Sequence, residues 1–207
     1  MNRKEEIIHA TLELASKQGL RSLSMEQIAK KVGIKKPSLY NHFKSKSELI
    51  VATYEYLRKN AKEKNVFFDA DFKELIEGNS VEQILKTAVE RYFKMSCENE
   101  LLSFYKVIYS ERTINPVAAK IMTDETEKMI TMTENLFCVL KARGKISIED
   151  IDAAALSFAM TVHSIMDYQL DKKTSGDSPS DAMLDSFLSW FCRQIIGGKN
   201  HEKQQTD

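Results

Sequence analysis

Between Lys35 and Lys46 the chain reads Lys-Lys-Pro-Ser-Leu-Tyr-Asn-His-Phe-Lys-Ser-Lys, which combines cations, hydroxyls, an amide and aromatic rings within a dozen residues. Side chains of these types can read a nucleic acid. A lysine donates to guanine O6 and N7, an asparagine bonds adenine bidentately, and a proline ring touches a thymine methyl. Spaced along a short helix, Lys36, Pro37, Ser38, Asn41 and the ring edge of Tyr40 reach toward base edges. Lys35, Tyr40, His42 and Lys46 are better placed for phosphates, as are the unbonded amides at the helix starts marked by Ser24 and Ser45. Each piece also has a plain structural use: a lysine doublet can be a solvated face, and Tyr40 a half-buried packing ring. The whole set at this spacing is much less common.

Holding these residues in place requires a particular run of elements. A first helix over about Lys4 to Lys17 carries an apolar face of Ile7, Ile8, Thr11, Leu12, Leu14 and Ala15, and Gly19 ends it. Ser24 and Gln27 form a capping box and Leu23 can staple onto Ile28, opening a second helix that reaches Val32. Gly33 supplies a left-handed turn. A third helix of about two turns starts at Lys36-Pro37, where proline is tolerated because first-turn amides have no helical acceptor. Ser45 and Glu48 cap a fourth helix to about Lys64, roughly 27 Å long at 1.5 Å per residue. Two short helices about a glycine turn make a helix-turn-helix, in which the second helix enters the major groove.

Beyond lies a weakly periodic connector, 66 to 79, and then more helix. Ser80 with Gln83 caps a helix to about Cys97, a shorter one spans Leu101 to Glu111, and Asn115-Pro116 opens a long one that stops before Gly144. Ser147 with Asp150 caps the next, to about Leu170; the polar stretch from Asp171 to Pro179 reads as a mobile loop, and Ser178-Pro179 starts a last helix ending at Gly197-Gly198. Alternating strand patterns are essentially absent, so the expected fold is all-α. It comprises a three-helix, homeodomain-like helix-turn-helix domain over 1–48, linked by helix 46–64 to a larger helical domain over 49–198, with a disordered tail at 199–207.

Composition narrows the function classes. Of 207 residues 43% are hydrophobic and 29% charged, which excludes a wholly disordered chain. The formal charge is zero, yet residues 1–50 carry a net +5 and the remainder −5, a basic head on an acidic body that suits a polyanion at one end. The chain opens without an apolar leader, and no segment approaches the ~20 apolar residues of a membrane span, so a cytoplasmic protein with no membrane contact is expected. Cys97, Cys138 and Cys192 are too far apart for a CxxC knuckle, and no HxxxH or HExxH pattern occurs; neither metal nor cofactor is expected. Lacking a glycine-rich phosphate loop or a nucleophile elbow, the chain gives little support to an enzyme, and no catalytic residue is assigned. Two other readings remain open: an all-helical module whose head docks on a protein, and a redox sensor using one of the cysteines.

The sequence resembles the TetR family of bacterial transcriptional regulators. The resemblance rests on Leu23-Ser24-Met25-Glu26-Gln27-Ile28-Ala29 and on Val32 to Leu49, with Gly33, Leu39, Tyr40, Phe43 and Lys46 at their spacings. It implies that Tyr40 and Lys46 grip phosphates, that Lys36, Pro37, Ser38 and Asn41 face bases, and that His42 lies beside the backbone. One departure stands out: many members have Ser or Thr where this chain has Lys35, and loss of that capping oxygen costs about 1 kcal/mol of local helix stability. Lys35 is therefore expected to turn outward to a phosphate.

The resemblance also implies a homodimer on a palindromic operator, released by a small-molecule inducer. Two apolar helices fit such pairing, through Ile151, Ala155, Phe158 and Val162 on one and Leu184, Phe187, Leu188, Trp190, Phe191 and Ile195 on the other. A largely apolar inducer would be lined by Tyr92, Met95, Phe104, Tyr105, Ile108, Met122, Met129, Phe158 and His163, although core packing is the commoner use of each such residue. His163 and Asp167, one turn apart, form a polar pair that could anchor a head group or bind metal, although a satisfied structural histidine is the commoner case.

Overall fold

The computed structural model describes residues 2–64, 75–96, 99–178 and 180–196. Among them there is no strand, and nine helices follow in order: α1 Arg3–Gln18, α2 Met25–Val32, α3 Lys36–Tyr40, α4 Lys46–Lys64, α5 Val81–Ser96, α6 Asn99–Glu111, α7 Pro116–Ala142, α8 Ile151–Ser175 and α9 Ala182–Ile196. The all-α expectation is met. Most of the connector expected over 66 to 79, the tail at 199–207, Gly197-Gly198, Pro179 and Cys97 lie outside the described residues.

The chain divides into two compact units, Met1–Val66 with Lys94–Glu125, and Phe67–Phe93 with Thr126–Asp207. In the first, α1 packs on α2, α4 and α6. Its fully buried side chains include Ile7, Leu20, Ile28, Leu39, Leu49, Ile50 and Phe104, so the apolar face of α1 and the two anchors of the following turns close one core. Buried Thr11 and Thr53 return their hydroxyls to the carbonyls of Ile7 and Leu49, each at 2.8 Å, which lets a polar group sit in the helix core without an unmet donor. Arg58 on α4 and Glu125 on α7 form a largely buried ion pair within the same unit.

The second unit is built around aromatic packing. Phe137, Phe158 and Phe191 form its centre, with ring centroids 5.6 Å apart for Phe137 and Phe158 and 5.0 Å for Phe158 and Phe191. Leu85, Leu136, Leu140, Val162, Leu188 and Ile195 are among the residues packed around it.

At α8 and α9 the boundaries differ from the sequence expectations. The polar stretch after Leu170 is not a loop from Asp171 onward, because α8 continues to Ser175 and ends at Gly176 in the left-handed conformation (φ 90°, ψ 6°). Lys172 and Lys173 favour that helix end electrostatically, and Thr174 donates to the Leu170 carbonyl at 2.8 Å. The cap of α8 is Asp150, which accepts from the Ala153 amide at 2.9 Å; the Ser147 amide is spent on the Ile195 carbonyl at 2.8 Å. The last helix starts at Ala182, later than the Ser178-Pro179 signal suggested.

Candidate nucleic-acid interface and ligand cavity

The helix-turn-helix is assembled by local signals that each do what their chemistry allows. Ser24 accepts from the Gln27 amide at 3.2 Å, and Gln27 returns the bond to the Ser24 amide at 2.8 Å. Gly33 adopts φ 75°, ψ 29°, and the Ile34 amide reaches back to the Ala29 carbonyl at 2.9 Å, so the chain reverses at low cost only with glycine there. Leu39, fully buried, and Phe43, nearly so, then fasten the next segment to the core. α3 itself has five residues, shorter than two turns, because it tightens at its end: both the His42 and Phe43 amides bond the Leu39 carbonyl at 3.0 Å. Lys35 precedes it with no side-chain cap. At the start of α4 the Glu48 amide donates to Ser45 Oγ at 3.0 Å, while the Glu48 carboxylate accepts from the Lys44 amide at 2.7 Å, one residue earlier than in a standard capping box.

With its two apolar anchors buried, this segment leaves its polar side chains accessible. Ser24, Lys35, Lys36, Pro37 and Asn41 are exposed, Tyr40 is 42% exposed, and Ser38, His42 and Lys46 are half-buried. A neighbouring cation is spoken for. Glu13 binds Lys17 and Lys31, each at 2.8 Å, and these two ammoniums hold its carboxyl down to about 2.

One residue of this region escaped the sequence reading. Glu111, the last residue of α6, is only 8% exposed, and its carboxylate accepts from the Arg21 amide at 3.1 Å and from Asn115 Nδ2 at 3.2 Å. Lys46 Nζ meets the Arg21 carbonyl at 3.4 Å; burial lowers the pKa of this ammonium, and the charge of Glu111 works in the opposite sense. Nothing local in the sequence links residues 21, 46 and 111.

In the second unit a small cavity of about 70 Å³ is lined by Leu75, Ala88, Val89, Arg91, Tyr92, Met129, Met132, Thr133, Leu136, Phe158, Ala159 and Val162. Three of the nine expected ligand residues, Tyr92, Met129 and Phe158, are brought together there. His163 is half-buried outside the lining, with Nε2 at 3.7 Å from Asp167 Oδ2. Met95, Phe104, Tyr105, Ile108 and Met122 belong to the first unit and do not line this cavity; Phe104 and Ile108 are fully buried there as core. Residue type suggested all nine, but it carries no information on which core each one enters. Among the described residues no group of three or more His, Cys, Asp or Glu could hold a metal ion.

The residues expected at a pairing surface fall into two groups. Ala155, Phe158, Val162, Leu188, Phe191 and Ile195 are buried in the chain's own core, and Ile151, Leu184 and Phe187 pack against it. α8 and α9 are apolar nearly all round, and the stripes chosen from sequence turn inward. Trp190, 51% exposed, faces out, together with Leu156 at 49% and with Met160, Tyr168, Met183 and Ile196, which the sequence reading did not name. No described helix is long and apolar enough to cross a membrane.

Comparison with known proteins places these features. Residues 7–53 match the model of the bacterial regulatory proteins of the tetR family, and residues 83–186 match the C-terminal domain of AefR-like transcriptional repressors. The nucleoid occlusion factor SlmA of Vibrio cholerae is 32% identical over 93 residues, 44% of this chain and 47% of that protein. The chain spans about half the length, or less, of the curated relatives it matches. A Mesorhizobium loti protein ascribed to the TetR family shares the fold with a TM-score of 0.67 at 24% identity, over 95% of this chain and all (100%) of that one. A Saccharomonospora viridis protein ascribed to transcriptional regulation, in complex with choline, shares it at 0.62 and 17% identity, over 93% of this chain and 97% of that one.

Proposed function

Because the chain belongs to the TetR family of bacterial regulatory proteins, we propose that it is a cytoplasmic, ligand-responsive transcriptional repressor, binding a palindromic operator as a homodimer and released by a small-molecule inducer. It works by binding and not by catalysis. The observation that carries this reading is the Gly33-turned helix pair, with Leu39 and Phe43 buried and Lys35, Lys36, Tyr40 and Asn41 left outside. Lys36, Pro37, Ser38 and Asn41 read bases, while Lys35, Tyr40, His42, Lys46 and the Ser24-capped helix start hold phosphates.

Two copies are needed because operator half-sites lie about 34 to 36 Å apart, or a multiple of it, and a single short helix reads only one of them. The exposed apolar side chains of α8 and α9, Leu156, Met160, Met183 and Trp190, supply the pairing surface. For the inducer, the cavity lined by Tyr92, Met129 and Phe158 supports a mainly apolar molecule with Arg91, Tyr92 and Thr133 as polar contacts. At about 70 Å³ the cavity is far smaller than the ~300 Å³ or more of a drug-sized site, so an inducer must bind an expanded form better than the resting one. Preference for that form is what would release DNA. A structure of this fold in complex with choline supports small-molecule binding as such, without fixing the class of ligand here.

Selection of bound duplexes from a random pool, followed by screening of metabolites and drugs for release, tests the reading. Recovery of an inverted repeat and its release by at least one compound are expected. No preference for any inverted repeat in low salt and without small molecules would refute it, and an affinity that scarcely changes with salt would point to a protein partner.

A further inference from the structure

Glu111 is costly where it stands. A carboxylate at the end of a helix meets the negative pole of the macrodipole, and this one is only 8% exposed. Its surroundings show what it holds. Gly19, with φ 75° and ψ 168°, lies in a region that only glycine enters readily, and a Cβ there would come within 2.8 Å of Glu111 Oε1. The missing side chain lets the α1–α2 turn close onto the carboxylate. The main chain of Arg21 is then gripped from both sides, its amide donating to Glu111 at 3.1 Å and its carbonyl accepting from Lys46 Nζ at 3.4 Å. Asn115 Nδ2 steadies the other carboxylate oxygen at 3.2 Å. The Arg21 main chain thus joins the α1–α2 turn to the first residue of α4 and to the last residue of α6, all inside the first unit.

Resting on the DNA-binding reading above, we propose that Glu111 is a positioning residue for DNA recognition, fixing the Arg21 turn and through it presenting the Lys46 ammonium to a phosphate. It touches no DNA itself. Its contribution is geometric: without it Arg21 loses its amide partner, the Lys46 side chain loses a fixed acceptor, and the entropy of a long flexible cation must be lost on binding instead of beforehand.

The test measures binding of a fluorescent random-sequence duplex of about 30 base pairs at low salt, for the wild type, Glu111→Ala, Glu111→Gln, Lys46→Ala and the two double variants, with circular-dichroism melts alongside. Glu111→Ala is expected to weaken binding about tenfold, and Glu111→Gln, which keeps an acceptor for the Arg21 amide, to recover part of that loss. In the Lys46→Ala background each Glu111 change is expected to cost less than about threefold, because its effect passes through Lys46. Should Glu111→Ala fail to fold, Glu111→Gln and its double variant carry the same comparison. Folded Glu111 variants that bind like the wild type, or that lose as much without Lys46 as with it, would overturn the role of Glu111 alone. A wild-type protein that binds no duplex would instead overturn the DNA-binding reading, and this proposal with it.

Discussion

Replacing Lys46 by Ala removes one charge per chain from the proposed phosphate contacts and little else. The side chain is half-buried but makes a single long hydrogen bond, 3.4 Å to the Arg21 carbonyl, while the neighbouring Leu49 and Ile50 remain fully buried. The melt should therefore move little, in line with surface substitutions of about 0.5 kcal/mol. Affinity for DNA should change in a way that salt exposes. Each neutralised phosphate contributes about 0.9 to the slope of log affinity against log salt, so two copies of Lys46 in a dimer account for about 1.8. Between about 50 and 200 mM salt the wild type should lose roughly twelvefold more affinity than the variant. Anisotropy titrations at several salt concentrations measure this on both a selected operator and a random duplex, and the two should shift together, because phosphates carry no sequence. A drop in affinity with an unchanged slope would refute the phosphate role and leave Lys46 as a structural residue. Asn41→Ala provides the contrast: its slope should stay the same while preference relaxes at one base pair.

Trp190→Asp, which places a charge on the exposed apolar face of α9, should give a folded monomer with weak operator binding; an unchanged sedimentation coefficient would refute that face as the pairing surface. Phe158→Ala removes the ring shared by the aromatic core and the cavity wall, and should cost about 3–5 kcal/mol in chemical denaturation, against less than 1 kcal/mol if the ring were peripheral. Glu125→Ala leaves Arg58 as an unpaired, largely buried cation and should cost about 3 kcal/mol, with Arg58→Met recovering part of it in the double variant; additive losses would argue against the pair. Burial pushes the Cys192 thiol up to about 11, so with mass-mapped thiol labelling near neutral pH Cys138 should react in the native protein and Cys192 only after denaturation. Native labelling of Cys192 would contradict its packing and reopen a redox role.

What could be read from sequence was what neighbouring residues decide between themselves. The Ser24–Gln27 box, the glycine at position 33 and the proline at 37 each act within a few residues, and the helices they open start where expected, although α3 ends early. Competition between nearby caps was harder. Ser147 and Asp150 could both open α8; Asp150 does so, and the Ser147 amide bonds the distant Ile195 carbonyl instead of a capping partner. The nearly all-round apolarity of α8 leaves its orientation open in sequence; the packing of Phe158 against Phe137 and Phe191 fixes it and leaves Leu156 and Met160 outside. Long-range chemistry left no trace at all, since the bond between Glu111 and Arg21 spans 90 residues and its cost at a helix end is visible only once its partners are known.

The aromatic path through the second unit has an optical consequence. Trp190 is the only indole in the chain, its ring lies 6.3 Å from that of Phe187, and Phe187 in turn lies 5.7 Å from Phe158 at the cavity wall. The protein thus carries its own lamp at the proposed seam between copies, two rings away from the chamber proposed for the inducer. Emission that shifts to the blue on concentration reads association without a label, and a change of intensity when a compound is added reads repacking of the same three rings.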